Sequence, residues 1–152
     1  MLGNYGVIKT NGFFGKLIRL GTMSRWNHAV IAISNTELVE ATPRGVIISQ
    51  ISEYPLIAWN QHEDIKDRQL IADYAKSLVG KPYGFGDILN LALRILGLKI
   101  ISNTRFMEYL AVKRGIICSE LVALCYEHAG VSFNKPAHLV TPGDLAERII
   151  YQ

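Results

Sequence analysis

The sequence predicts an α+β protein, and three observations carry that prediction. Short apolar, β-branched runs broken by turn residues fill the first half of the chain. Helical spacing of apolar residues dominates the second half. The two kinds of segment form separate blocks and do not alternate, as they would around a parallel sheet. The expected architecture is an antiparallel sheet of about five strands, packed against helices.

The elements follow in order. Residues 7–10 form a short strand candidate, and residues 13–20 a brief amphipathic helix with Lys16 and Arg19 on its wet side. Residues 28–34 are apolar and β-branched, the turn formers Asn35 and Thr36 follow, and residues 37–42 resume the pattern. That is a hairpin. Residues 45–51 and 56–60 supply two more strands, which makes the first half a meandering sheet. Leu70, Ile71, Tyr74 and Leu78 give residues 66–79 helical spacing, and the helix stops at Gly80 with Pro82 just beyond. Asp87 caps a helix running to about Leu96, residues 105–113 form another, and residues 118–129 a third, closed by Gly130. Thr141-Pro142-Gly143-Asp144 is a helix start. Thr141 is the N-cap, Pro142 the first helical residue, and Asp144 the reciprocal acid of a capping box.

At 152 residues the chain suits a single domain over 1–152, large enough to bury a core without staples. Hydrophobic residues at 49% against 19% charged exclude a disordered chain. The net charge of +3 is spread thinly, so nothing suggests a nucleic-acid arm. The start Met1-Leu2-Gly3-Asn4-Tyr5 lacks the basic and apolar regions of a signal peptide. The most apolar segment, residues 88–101, is broken by Asn90, Arg94 and Lys99. It is also shorter than the ~20 residues that span a bilayer. The expectation is a soluble protein made in the cytosol; release by phage lysis or a secretion machine would leave no mark in the sequence.

Two cysteines raise the chemical question. Cys118 and Cys125 lie seven residues apart on one expected helix, ~10.5 Å along its axis. A disulfide needs Cα atoms within ~7 Å, so both are expected as free thiols. Cys118 stands at the helix start, where unpaired N–H groups and the helix dipole favour a thiolate. Cys125 lies mid-helix and reads as a core residue. Cys118 is either a second core thiol or a nucleophile, and a nucleophile needs an imidazole and a group to orient it.

Four histidines compete for that role. An order with the histidine ~130–150 residues after the cysteine is excluded, because only 34 residues follow Cys118. His138 lies just 20 residues on, and His128 sits on the cysteine's own helix. His62 adjoins Glu63 and Asp64 in a loop. His28 opens an apolar strand beside Trp26 and Asn27, and the next strand carries Glu40, a carboxylate costly to bury unpaired. The two are twelve apart. With an odd hairpin loop such as Ser34-Asn35-Thr36, Val30 pairs with Glu40, and His28 and Glu40 share a face as diagonal neighbours. A two-residue turn would place them on opposite faces.

Trp26-Asn27-His28-Ala29-Val30, Val39-Glu40-Ala41-Thr42, Gly80-Lys81-Pro82-Tyr83-Gly84, Cys118-Ser119-Glu120-Leu121-Val122 and Thr141-Pro142-Gly143-Asp144-Leu145 occur in that order. The ordered set resembles the circularly permuted papain-like branch of the NlpC/P60 superfamily, over nearly the whole chain. The resemblance implies a fold in which the nucleophile helix packs on an antiparallel sheet. It implies Cys118 as nucleophile, His28 as general base and Glu40 as orienting acid. It also implies no cofactor, and cell-wall peptides or lipid-linked acyl groups as substrates. Tyr83 is either a cleft-lining residue or ordinary turn chemistry. The oxyanion donor is expected to be the backbone N–H of Cys118, joined by a side chain such as Tyr5 or Asn27. Trp26 completes the substrate-binding candidates.

The leading reading is therefore a cysteine hydrolase of amides or esters. A lipid-directed acyltransferase of the same fold, or a binding or phage structural module with an idle triad, would share these residues. The 88–101 segment is either a core helix or an apolar ledge for acyl chains, which leaves open a peripheral contact with a membrane. Cys125-x-x-His128 has metal-ligand spacing, but no second pair completes a zinc site, and none is expected.

Overall fold

The computed structural model describes residues 1–10, 25–60, 65–84 and 115–150. The helices expected at 13–20, 87–96 and 105–113, the apolar 88–101 segment and His62 lie outside these residues.

Alternation of apolar residues builds five strands: β1 (Tyr5–Ile8), β2 (His28–Ala32), β3 (Glu37–Thr42), β4 (Gly45–Gln50) and β5 (Ala58–Trp59). They form one antiparallel sheet in the order β4-β3-β2-β1-β5. The first four strands meander as the sequence predicts. β5 departs from the meander, because a 3₁₀ turn at Ile51–Glu53 precedes the chain's return to the far edge beside β1. Three α-helices are described: α1 (Arg68–Ser77), α2 (Cys118–His128) and α3 (Pro142–Ile150). The chain is thus α+β. No helix among the described residues is long and apolar enough to cross a membrane.

The β2–β3 hairpin has the odd loop that the site requires. Val30 pairs with Glu40, Ile31 with Val39 and Ala32 with Leu38, while Ile33 N donates to Glu37 O at 3.0 Å. Ser34 sets this turn. Its Oγ accepts from Thr36 N at 3.1 Å and from Glu37 N at 2.9 Å, the local side-chain bonding that makes serine a turn residue.

Strand alternation divides the sheet's side chains in two. Tyr5, Val7, Ala29, Ile31, Val39 and Ala41 enter the main core, where they meet Ile71 and Ala75 of α1 and Leu121, Val122 and Cys125 of α2. Ile8, Val30 and Leu38 form a second cluster, covered by Ile51, Tyr54, Ile57 and Trp59. His28 and Glu40 follow the parity of Val30 and Leu38, so they belong to this second face.

Helix α2 is pinned from both ends. Ser119 Oγ donates to Val140 O at 2.6 Å. Tyr126 Oη donates to Gly3 O at 3.0 Å and accepts from Tyr5 N at 3.2 Å. The Thr141 cap forms as the sequence predicts. Asp144 N donates to Thr141 Oγ1 at 3.2 Å, and Asp144 Oδ2 accepts from Thr141 N at 2.7 Å. Lys135 adds an ion pair to the same oxygen at 2.7 Å, so Asp144 acts as a cap.

Cys125 is fully buried among these core residues. Cys125→Ala should destabilise the fold by about 1–2 kcal/mol through the small void it leaves and should spare Cys118 chemistry. Chemical denaturation, with Cys118 alkylation measured alongside, checks both halves.

Candidate active site

Cys118 is the first residue of α2, after an extended Ile117. The approach to it is a short tie between two loops. Ile116 N donates to Pro82 O at 2.9 Å and Gly84 N to Ile116 O at 3.3 Å, which makes an isolated parallel bridge between Tyr83 and Ile116. Gly115 is required there, since a Cβ would lie 2.2 Å from the Tyr83 carbonyl carbon. The tie brings Tyr83 beside the cysteine. Glu120 reaches back to Ile117 N at 3.4 Å across the helix start.

The three residues expected to act together do meet. His28 Nε2 lies 2.6 Å from Glu40 Oε2, and the Cys118 side chain is near enough to the ring to raise its pKa. With Nε2 on Glu40, Nδ1 is the nitrogen left to face the sulfur. The thiol comes from the helix side and reaches the imidazole where β2 begins. The Glu40 side chain is 3% exposed and that of His28 13%, while Cys118 is 2% exposed.

Glu40 is held by more than the histidine. Tyr54 Oη donates to Oε2 at 2.6 Å, and Ser49 Oγ donates to Oε1. Neither residue was among the sequence candidates. Ser49 carried a faint signal, a small polar residue two positions along β4 from Ile47, the partner of Glu40. Tyr54 carried none, because its place depends on the 3₁₀ turn before it.

The electrostatics follow from these contacts. Burial alone pushes the His28 imidazolium down. Hydrogen bonds to Cys118 and Glu40, with attraction to the charge on each, outweigh it and raise the ring from 6.5 to about 10. Burial likewise pushes Glu40 up, and the His28 bond and charge, with the Ser49 and Tyr54 bonds, hold it below its ordinary value. Burial and then the nearby Cys118 charge push the Tyr83 phenol up. Burial raises the Cys125 thiol to about 12.

Two substrate-binding candidates are corrected. Tyr5 points into the main core, where its hydroxyl donates to Leu145 O at 3.1 Å and its ring packs edge-on against Tyr126. Alternation along β1 sends it away from the His28 face. Asn27 is 1% exposed and spends its amide on Thr10. Its Oδ1 accepts from Thr10 N at 2.8 Å and its Nδ2 donates to Thr10 O at 2.8 Å, which extends the β1–β2 ladder by a side chain. Both side chains thus have structural partners.

Trp26 lines a cavity of about 510 Å³ with Ile8, Lys9, Arg25, Tyr54 and Leu56 among its walls. The cavity adjoins the site, because Ile8 is the cross-strand partner of His28 and Tyr54 is bound to Glu40. His128 stacks on Tyr74 with ring centroids 4.1 Å apart, while Cys125 is in the core. Among the described residues no three His, Cys, Asp or Glu side chains gather around a point that could hold a metal ion.

The chain matches no family model and no curated protein sequence.

The linked titrations give a pH signature. His28 binds its proton more tightly folded than unfolded, so its contribution to stability is full below about 6.5 and is lost as pH rises through about 10. Glu40 is depressed, so its contribution is present above its ordinary value of 4.5 and lost as pH falls through its folded value. Cys118→Ser puts a hydroxyl that does not ionise opposite the ring. The alkaline fall in melting temperature should then begin at lower pH. An unmoved alkaline limb would show that His28 does not titrate against the thiol.

Proposed function

We propose that the chain is a cysteine hydrolase acting on an amide or ester carbonyl, of the permuted papain-like NlpC/P60 kind. One arrangement carries the reading: an imidazole held at 2.6 Å by a buried carboxylate has the thiol of a helix start near enough to act on its charge. A core thiol needs no such partner, and a core histidine does not need a second polar contact of this kind. The chain order, with histidine and acid on early strands and cysteine on a later helix, is that of the permuted branch.

In this mechanism the Cys118 sulfur attacks the substrate carbonyl carbon, and the carbonyl π pair moves onto oxygen. The backbone N–H of Cys118 is one of the first-turn donors that a helix leaves without an internal acceptor, and it serves the oxyanion. Tyr83, kept protonated near the sulfur, is the side-chain candidate to join it. The tetrahedral adduct collapses, His28 gives its proton to the leaving nitrogen or oxygen, and the acyl group stays on sulfur. His28 then takes a proton from water as the hydroxide attacks the thioester, and the acid and free thiol are released. Glu40 keeps the ring in place and balances its charge, as the third member of a triad does.

The cavity beside the site favours acyl transfer as a second reading. Its walls include Ile8, Trp26, Tyr54 and Leu56, with Lys9 and Arg25 bringing positive charge. An apolar acyl chain with an anionic group nearby would fit this composition.

A panel of activated esters of increasing acyl length, with matched peptide amides, tests the proposal. The wild-type chain should gain the acyl mass on Cys118 and turn over, and iodoacetamide should modify Cys118 much faster than Cys125. Cys118→Ala should reduce turnover to background without unfolding. Glu40→Gln should lower it by roughly 10²–10⁴-fold, and Glu40→Ala further, since the ring then loses its anchor too. Equal, slow labelling of both thiols with no acyl adduct would sink the hydrolase reading.

A further inference from the structure

The Glu40 carboxylate is gripped from three parts of the chain. Oε2 receives His28 of β2 at 2.6 Å and Tyr54, beyond the 3₁₀ turn, at 2.6 Å. Oε1 receives Ser49 of β4. A carboxylate offers about four acceptor positions, and three are filled here by donors in a site that is 2% exposed. The Tyr54 ring also tilts against the His28 ring, with centroids 6.3 Å apart.

We propose that Ser49 and Tyr54 are positioning residues, which clamp the Glu40 carboxylate against His28 and hold it as a fixed anion rather than a carrier of the imidazole's proton. The inference rests on the reading of Cys118 and His28 as a reactive pair. Its physical content is simple. Each hydroxyl stabilises the charged carboxylate and offers nothing to the protonated one, so the acid end of the site stays ionised while the ring's proton moves only toward the sulfur or the leaving group. Tyr54 is suited to this, because burial and then the Glu40 contact push its own phenol up, so it remains a donor.

Among the described residues, His28 and Tyr54 touch Glu40, Cys118 and then Tyr83 act next along the site, and Glu53 acts on Tyr54. Loss of either hydroxyl should therefore act on the Glu40 midpoint first.

The test is the pH dependence of Cys118 alkylation by iodoacetamide, read by mass, in the wild-type chain and in Tyr54→Phe, Ser49→Ala and Ser49→Thr. The acid limb should move up by about one pH unit in Tyr54→Phe and in Ser49→Ala. Ser49→Thr, which keeps the hydroxyl, should return the limb to its wild-type position. A uniform loss of labelling at every pH, with the limb unmoved, would show a merely structural role and overturn the proposal. The Glu40 carboxyl ¹³C midpoint, followed by NMR in a Cys118→Ala background, should rise in the same two variants. That measurement does not use the thiol. A raised midpoint with an inert Cys118 supports the clamp and sinks the hydrolase reading, and an unmoved midpoint sinks the clamp.

Discussion

The arrangement depends on one buried carboxylate. An ionised Glu40 placed in the apolar middle of β3 would cost far more than a short strand pair returns, unless its oxygens were met by donors. Three donors meet it, each from a different part of the chain, so the acid ties β2, β4 and the segment after the 3₁₀ turn to β3. That makes Glu40 as much a constraint on register as a functional group. A one-residue slip between β2 and β3 would turn the carboxylate toward Leu121 and Val122 of the main core, where nothing is available to pair with it. The Ser34 turn and the Glu40 site therefore specify the same register by independent means.

The second requirement is to bring a helix start to the end of a sheet without placing it in the sheet's centre. The body of α2 packs its apolar residues on Ala29, Ile31 and Val39. Its start, with Ile116, Ile117 and Cys118, belongs to the same core and is tied further by the Tyr83–Ile116 bridge and by Ser119 bonded to Val140 O. The close approach at Gly115 leaves no room for a side chain, so the tie has little freedom to slide. Backbone bonds and packing together locate the thiol.

Much of this was legible in the sequence, and the limits have physical causes. The hairpin, the Thr141 cap and the placement of His28, Glu40 and Cys118 rest on local signals: turn residues, cap residues, and the parity of residues twelve apart. Parity alone is insufficient, because Asn35-Thr36 also makes a two-residue turn; the bonds that Ser34 Oγ accepts from Thr36 N and Glu37 N decide for the longer loop. The misplaced residues fail for a common reason. Tyr5 and Asn27 lie close to the site along the chain, but strand alternation sends one into the core and the ladder's end claims the other. β5 was assigned to the meander because neighbours in sequence usually pair, and nothing in its short run marks the crossing to β1. Ser49 and Tyr54 became visible only once the β4 register and the path of the 3₁₀ turn were fixed.

The imidazole is the most open of the three groups. The His28 side chain keeps 13% of its surface, against 3% for Glu40 and 2% for Cys118, so both ends are closed and the ring is the open point. In the proposed hydrolase a substrate would reach the ring from the side where β2 begins. That is also where Trp26, Ile8 and Tyr54 wall the cavity, with Lys9 and Arg25 among its linings. A substrate group lodged there would lie against Tyr54, the same side chain that grips Glu40. The group that helps to shape the pocket also holds the acid, so any side-chain change made to widen the pocket at Tyr54 disturbs the imidazole as well. Leu56 is the wall where the pocket can be altered without that penalty, because its apolar side chain offers the carboxylate no donor.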